Sequence, residues 1–261
     1  MAKSTKTSFY DDPAYDYQKY WLGREYENQA EKIAFHRFLK LIPSKDNLLD
    51  AGGGFGRLAD EYSSYFRECL IVDASEKHLD IAKKLFRQYP NLKLKKGFLE
   101  DLPLKGNSFG VVICIRTLHH LKNPQKAIQE IYRVLKPGGY FILEFANKAR
   151  FKNILKACLK LNLNYLTNHQ PSGINHHNEV PFFSYHPNQI KTMLLSNRFS
   201  IIKTLSVSNF REPLLKKIIP FKILILGERI FSRFSSYCSL LNYFGPSIFV
   251  LARKESVSGK A

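Results

Sequence analysis

The chain has 261 residues, 44% apolar and 24% charged, the balance of a globular protein long enough to bury one α/β core. No run approaches the ~18 uninterrupted apolar residues of a spanning helix, and Met1 to Asp12 is too polar for a secretory signal. Cys69, Cys114, Cys158 and Cys238 are scattered without a Cys-x-x-Cys pair, so neither a disulfide framework nor a zinc site is expected, and all four read as buried thiols in a reducing cytoplasm. The formal charge of +18 is unevenly spread: basic residues exceed acidic ones by 5 up to Asn147 and by 13 from Lys148 onward. Such a surface attracts an anionic partner, whether nucleic acid, lipid head groups or an acidic small molecule.

In chain order, Glu27 to Leu41 has near-helical apolar spacing and is stopped by Pro43 before a short apolar strand, Leu48 to Ala51. The alternation then predicts a helix over Phe55–Phe66, a strand over Cys69–Val72 and a helix over Glu76–Gln88. Strands follow at Leu92–Leu99 and Phe109–Ile115, a helix at Pro124–Leu135 and a strand at Tyr140–Phe145. This is the pattern of a doubly wound α/β fold, a parallel sheet covered on both faces. After Asn147 the rhythm loosens into a basic amphipathic helix at Phe151–Leu163, a polar loop from Asn168 to Pro181 and a helix at Pro187–Asn197. Phe199–Val207 and Ser247–Ala252 read as closing strands, with the basic, apolar segment Phe210–Tyr243 between them. Three parts are expected: an N-terminal cap and first helix (1–45), a cofactor-binding core (46–147), and substrate-side insertions with the closing strands of the same domain (148–261).

Leu49-Asp50-Ala51-Gly52-Gly53-Gly54-Phe55-Gly56 follows one strand and opens one helix, where glycines let the backbone turn sharply and approach a nucleotide-like ligand. The spacing is G-x-G-x-G, since Arg57 stands where a dinucleotide fingerprint needs its third glycine. The Asp50 carboxylate would oppose a pyrophosphate and favour an ammonium or sulfonium. Asp73, ending the next strand, can accept both hydroxyls of a ribose, and Glu100-Asp101-Leu102 offers an acidic edge with an apolar neighbour for an adenine.

Leu49–Gly56, Asp73, Gly97–Leu104, Phe109–Leu121 and Leu135–Gly139 together resemble the successive motifs of the class I S-adenosylmethionine methyltransferases, in the branch similar to quinone-biosynthesis methyltransferases. The resemblance covers roughly Leu48 to Asn147 and implies a seven-stranded, mostly parallel sheet with an antiparallel final strand. By it, Asp50, Gly52, Gly54, Asp73, Asp101 and Leu118 fall on S-adenosylmethionine contact positions, and Gly56, Ala74, Glu100, Leu102 and Arg116 belong with them. The implied activity is methyl transfer to a small, apolar or lipid-like acceptor. The alternatives are an RNA methyltransferase, which the basic C-terminal part suggests, and a catalytically silent cofactor-binding or membrane-adaptor protein.

His119 and His120, just after the fourth strand, are candidate general bases, although alignment against a sulfonium methyl can dispense with one. His169, His176, His177, Glu179 and His186 lack metal-ligand spacing and read as a lid, so no metal is expected. Tyr10, Tyr15, Tyr17, Tyr20 and Trp21 read as a cap over the cofactor or a hydrophobic cluster. Phe210–Phe234 interleaves apolar and basic residues with only two acids, Glu212 and Glu228, and reads either as a peripheral contact with an anionic membrane or as packing on the sheet; the segment is also where an apolar substrate pocket is expected.

Overall fold

A computed structural model describes residues 8–12, 16–162, 164–165, 168–174, 181–235 and 237–256. Among these, short apolar strands assemble into one sheet: β1 (Asn47–Ala51), β2 (Glu68–Asp73), β3 (Leu92–Lys96), β4 (Phe109–Cys114), β5 (Leu135–Ala146), β8 (Phe199–Val207) and β9 (Ser247–Lys254). Their order is β3-β2-β1-β4-β5-β9-β8. The first five strands are parallel, and β9 runs antiparallel between β5 and β8. Strand order reverses between β1 and β4, and in a doubly wound sheet a ligand crevice opens at the carboxyl ends of such a pair.

Adjacent residues of each central strand enter opposite cores, because side chains alternate across a sheet. Leu49, Val112, Phe141 and Leu143 pack on one face beneath α4 (Pro124–Val134) and α6 (Pro187–Ser196). Leu48, Val111, Ile113 and Ile142 pack on the other, beneath α1 (Glu25–Leu39), α2 (Ala59–Tyr62) and α3 (Glu76–Leu85). Capping fixes the start of several helices: Ser75 Oγ accepts from His78 N–H at 3.2 Å, and Asn123 Oδ1 accepts from Lys126 N–H at 3.0 Å with Pro124 in the first turn.

Several elements differ in extent from what the sequence pattern predicts. The helix expected over Phe55–Phe66 is only Ala59–Tyr62, because the left-handed backbone at Gly54 and Gly56 occupies what would have been its first turn. β3 ends at Lys96, the basic helix α5 (Phe151–Leu159) ends before Leu163, and β5 starts five residues earlier than Tyr140. Part of the expected polar loop is a ladder between β6 (Ser172–Ile174) and β7 (Phe182–Ser184). Cys69 and Cys114 are buried, whereas Cys158 and Cys238 are exposed, since each sits on the outer face of an insertion.

The segment after β8 folds into α7 (Pro213–Ile218) and α8 (Phe221–Ser235). Leu224 and Ile225 pack with Tyr26 of α1, flanked by Phe210, Leu215 and Ile219. Glu228, counted in the sequence among the acids of a surface segment, is instead fully buried. It accepts from Tyr26 O–H at 2.6 Å and from the Ser208 N–H, Asn209 N–H and Asn209 Nδ2 at 3.0 Å each. Four donors satisfy one buried carboxylate, so this cluster pins α8 to α1 and to the end of β8.

Candidate active site

β1 runs into the glycine turn at the reversal point. Gly52 (φ +77°) and Gly54 (φ +57°) are left-handed, and a side chain at Gly52 would collide with Thr117. The Gly52 N–H donates to Val72 O at 2.7 Å, tying the turn to β2. An added Cβ at Gly54 would meet only His78, at 3.5 Å, so the turn is open on that edge. Gly56 (φ +81°) is different: a side chain there would strike Phe86 and Ile71, so packing on β2 accounts for it without a ligand.

Two carboxylates stand at the strand ends. Asp50 is buried, accepts from Tyr62 O–H at 3.0 Å, and burial pushes its carboxyl up to about 7. Asp73 is buried beside it, with burial raising its carboxyl to about 6 against the pull of backbone donors. Its Oδ2 accepts from Gly54 N–H at 2.9 Å and its Oδ1 from Ser75 N–H at 2.8 Å. Each oxygen keeps a further lone pair, as a ribose-binding carboxylate requires. Ala74, half-buried, joins Asp73 to the Ser75 cap. At the third strand end Leu102 is buried and its N–H donates to Glu130 at 2.9 Å, Glu100 is half-buried, and Asp101 is exposed.

The fourth edge follows β4. Leu118 is fully buried, and Thr117 Oγ1 donates to Gly52 O at 2.9 Å, locking this edge to the glycine turn. Arg116 is left-handed (φ +62°), and its N–H donates to Glu144 Oε2 at 2.8 Å. Burial disfavours its charge, yet Glu31 and Glu144 hold the guanidinium above its ordinary value. Glu144 also accepts from Ser247 Oγ at 2.5 Å, and burial raises its own carboxyl.

His119 is buried against His120 and Phe182, with ring centroids 4.1 and 4.5 Å away, and burial lowers it well below the usual imidazole range. Its Nδ1 is buried without a hydrogen-bond partner. His120 is half-buried, held by Pro181 O at 2.7 Å, with burial lowering it to about 4. Its ring lies 5.7 Å from that of Tyr10, which also reaches His78 at 5.1 Å. Tyr17 packs on His78 and Phe55 and stacks on Tyr20, while Asp11 accepts from Ser75 Oγ at 2.8 Å. The N-terminal aromatics therefore bridge the glycine turn from α3 to the edge after β4. Tyr15, His176, His177 and Glu179 lie outside the described residues. His169 stacks on His186 at 4.0 Å.

Beside Arg116 lies a cavity of about 140 Å³ between the N-terminal cap and the ends of β5, β8 and β9. Tyr20, Trp21, Asn147, Phe182 and Ser208 contribute to its wall, together with Arg24, Arg116, Arg150 and Arg211 and the carboxylates Glu27 and Glu31. The sequence reading placed the substrate pocket in the apolar faces of Phe210–Tyr243, but those faces that turn inward pack on α1, and only Phe210's neighbour Arg211 reaches this cavity. Glu31, Glu144, Arg57 and Thr117 were also missed. Glu144 carried a signal, as a carboxylate inside the apolar run Tyr140–Ala146.

Residues 49–143 match the family described as the methyltransferase domain. Over these residues the chain is similar to that domain. The uncharacterized methyltransferase YcgJ of Bacillus subtilis is 33% identical over 102 residues, covering 38% of this chain and 40% of that protein. The chain thus spans under half the length of this relative at sequence level. The demethylmenaquinone methyltransferase of Chlorobaculum parvum is 26% identical over 219 residues, 81% of this chain and 86% of that protein. Among solved structures, a SAM-dependent methyltransferase from Thermotoga maritima superposes with a TM-score of 0.60 at 18% identity, covering 95% of this chain and 98% of that one. The [4+2]-cyclase SpnF superposes with a TM-score of 0.58 at 17% identity, covering 87% and 83%. The methyltransferase fold alone therefore does not specify the reaction.

Proposed function

We propose that this chain binds S-adenosylmethionine in the glycine-turn crevice and methylates a small molecule in the adjoining cavity. One observation carries the reading: Arg116 and Thr117 are consecutive, Thr117 bonded to the glycine turn and Arg116 forming the cavity wall, so donor crevice and acceptor cavity share an edge. S-adenosylmethionine supplies an electrophilic methyl group on a sulfonium. Asp73 is placed to hold ribose hydroxyls, and ionised Asp50 to favour the cationic end. The aromatic cap excludes water, and the cavity wall aligns the acceptor, which supplies much of the acceleration in such a transfer. A recessed cavity of about 140 Å³ favours a small molecule over RNA. The alignment with demethylmenaquinone methyltransferase across 81% of the chain supports the quinone-biosynthesis branch and a lipid-like acceptor.

Calorimetry with S-adenosylhomocysteine and with NAD is the direct test. Micromolar binding of the first and none of the second is expected; the reverse would refute the cofactor class. Methyl-labelled donor incubated with lipid, metabolite and RNA extracts then separates the acceptor classes.

A second reading, peripheral contact with an anionic membrane, is favoured by the outer face of α7 and α8. Leu214, Ile218, Ile223, Leu226, Ile230 and Phe234 are exposed there beside exposed Lys217, Lys222, Arg229 and Arg233. Lys216, in contrast, is engaged by Glu27 at 3.1 Å. Among the described residues no helix is long and apolar enough to cross a membrane. Each basic residue near an anionic surface contributes about 1 kcal/mol. Flotation with phosphatidylglycerol-containing vesicles should therefore succeed at low salt, and weaken with salt or when the four exposed basic residues become Gln. Equal binding to pure phosphatidylcholine, or none at all, would refute surface docking.

A further inference from the structure

Four separate segments each bring an arginine to the cavity: Arg24 before α1, Arg116 after β4, Arg150 before α5 and Arg211 after β8. Gathering like charges is unfavourable unless carboxylates or a bound anion compensate. Arg116 is compensated by Glu31, whose Oε1 lies 3.9 Å from its Nε, and by Glu144. The other nearby carboxylates have lysine partners, Glu27 with Lys216 at 3.1 Å and Glu212 with Lys152 at 2.7 Å. Arg24 stacks on the Tyr20 ring at 4.1 Å, and Arg150 Nε donates to Asn153 Oδ1 at 3.1 Å. Among the described residues no carboxylate lies within ion-pair distance of Arg150 or Arg211. Burial, together with the charges of Arg150 and Arg116, pushes the Arg211 guanidinium below its ordinary value.

Unmet hydrogen-bonding capacity at the same wall is an independent sign. Arg116 Nε, Trp21 Nε1 and Asn147 Oδ1 are buried without a hydrogen-bond partner. Buried polar atoms are rarely left so, and two of these three are donors. Outside the cavity lies an open basin of about 630 Å³ that shares Arg24, Arg150 and Arg211 and adds Lys152, Lys216 and Lys217, with Glu27 and Glu212 as its two carboxylates, so basic residues outnumber acidic ones there. Positive charge therefore continues from the surface to Arg116, a field that concentrates anions at the entrance.

We infer that the methyl acceptor carries an oxyanion, a carboxylate or phosphate, seated by Arg150 and Arg211 with Arg116 at the inner end, an inference that rests on reading the adjoining crevice as the methyl-donor site. Planar guanidinium groups suit such oxyanions because they donate two parallel hydrogen bonds. The group can belong to a free acid or to the head of a lipid.

The test uses the full chain and inorganic phosphate as probe, titrated calorimetrically with and without S-adenosylhomocysteine. Saturable binding is expected, weakened about tenfold by either Arg150→Gln or Arg211→Gln. The charge-matched control Lys160→Gln, at an exposed lysine, should leave it unchanged. Non-saturable binding, or an equal loss in the control, would overturn the proposal. S-adenosylhomocysteine affinity in the same samples reports both folding and the donor site. Retained cofactor binding without phosphate binding sinks the anion site alone; phosphate binding without cofactor binding sinks the methyl-donor reading alone. Methyl-labelled products formed from a cell extract should then be retained by an anion exchanger. Partition of the retained label between aqueous and organic phases distinguishes a free acid from a lipid head, whereas label only in the unretained fraction would refute an anionic acceptor.

Discussion

Replacing Asp73 by Asn should weaken the cofactor while strengthening the fold. The carboxyl is raised from an ordinary 3.8 to about 6, so holding it ionised above pH 6 opposes folding by about 3 kcal/mol. The sign follows from linkage: because the native pKa is the higher one, this group's stabilising contribution is complete below about pH 3.8 and is lost as pH rises through about 6. An amide removes the ionisation penalty but can accept from only one of the Gly54 and Ser75 N–H groups, and the hydrogen bond lost offsets about 1–2 kcal/mol. A net gain of about 1 kcal/mol remains, or roughly 2–4 °C in melting temperature at pH 7.5. The same change removes charge-assisted bonds to ribose hydroxyls worth about 1.5–3 kcal/mol, a ten- to hundredfold loss of S-adenosylhomocysteine affinity. Thermal melts and calorimetry on one preparation measure both. Unchanged affinity would refute the ribose assignment, and a fall in melting temperature would show that the carboxylate holds the turn together instead.

Asp50, raised to about 7 by burial, should make cofactor affinity rise between pH 6 and 8 as its carboxylate ionises, and Asp50→Asn should flatten that rise; calorimetry at several pH values checks it. His120→Gln should lower turnover while S-adenosylhomocysteine affinity stays within about twofold, since His120 lies beyond the glycine turn and only its neighbour Tyr10 belongs to the cap. Full turnover would show that no base is supplied there. Glu228→Ala should leave the donors of Tyr26, Ser208 and Asn209 unsatisfied and cost about 3 kcal/mol or more, lowering the melting temperature by roughly 6 °C or more. A smaller shift would mean that α8 is not anchored through this carboxylate.

The doubly wound sheet and the glycine turn were legible in the sequence because both depend on local pattern. Buried parallel strands read as short apolar runs, and only glycine adopts freely the left-handed backbone at positions 52 and 54. The ends of elements were less legible, as at Phe55–Phe66, where a helical apolar pattern coincides with a turn that consumes its first residues. Burial of Glu228 was hidden because its partners lie as far as 202 residues away in the chain. The arginine-lined cavity was hidden for the same reason. Arg24, Arg116, Arg150 and Arg211 carry no common local signal, and the sequence could give only the sign of their charge. Only the tertiary structure, by ending β4, β5 and β8 beside one another and laying the N-terminal cap across them, turns four scattered cations into one site.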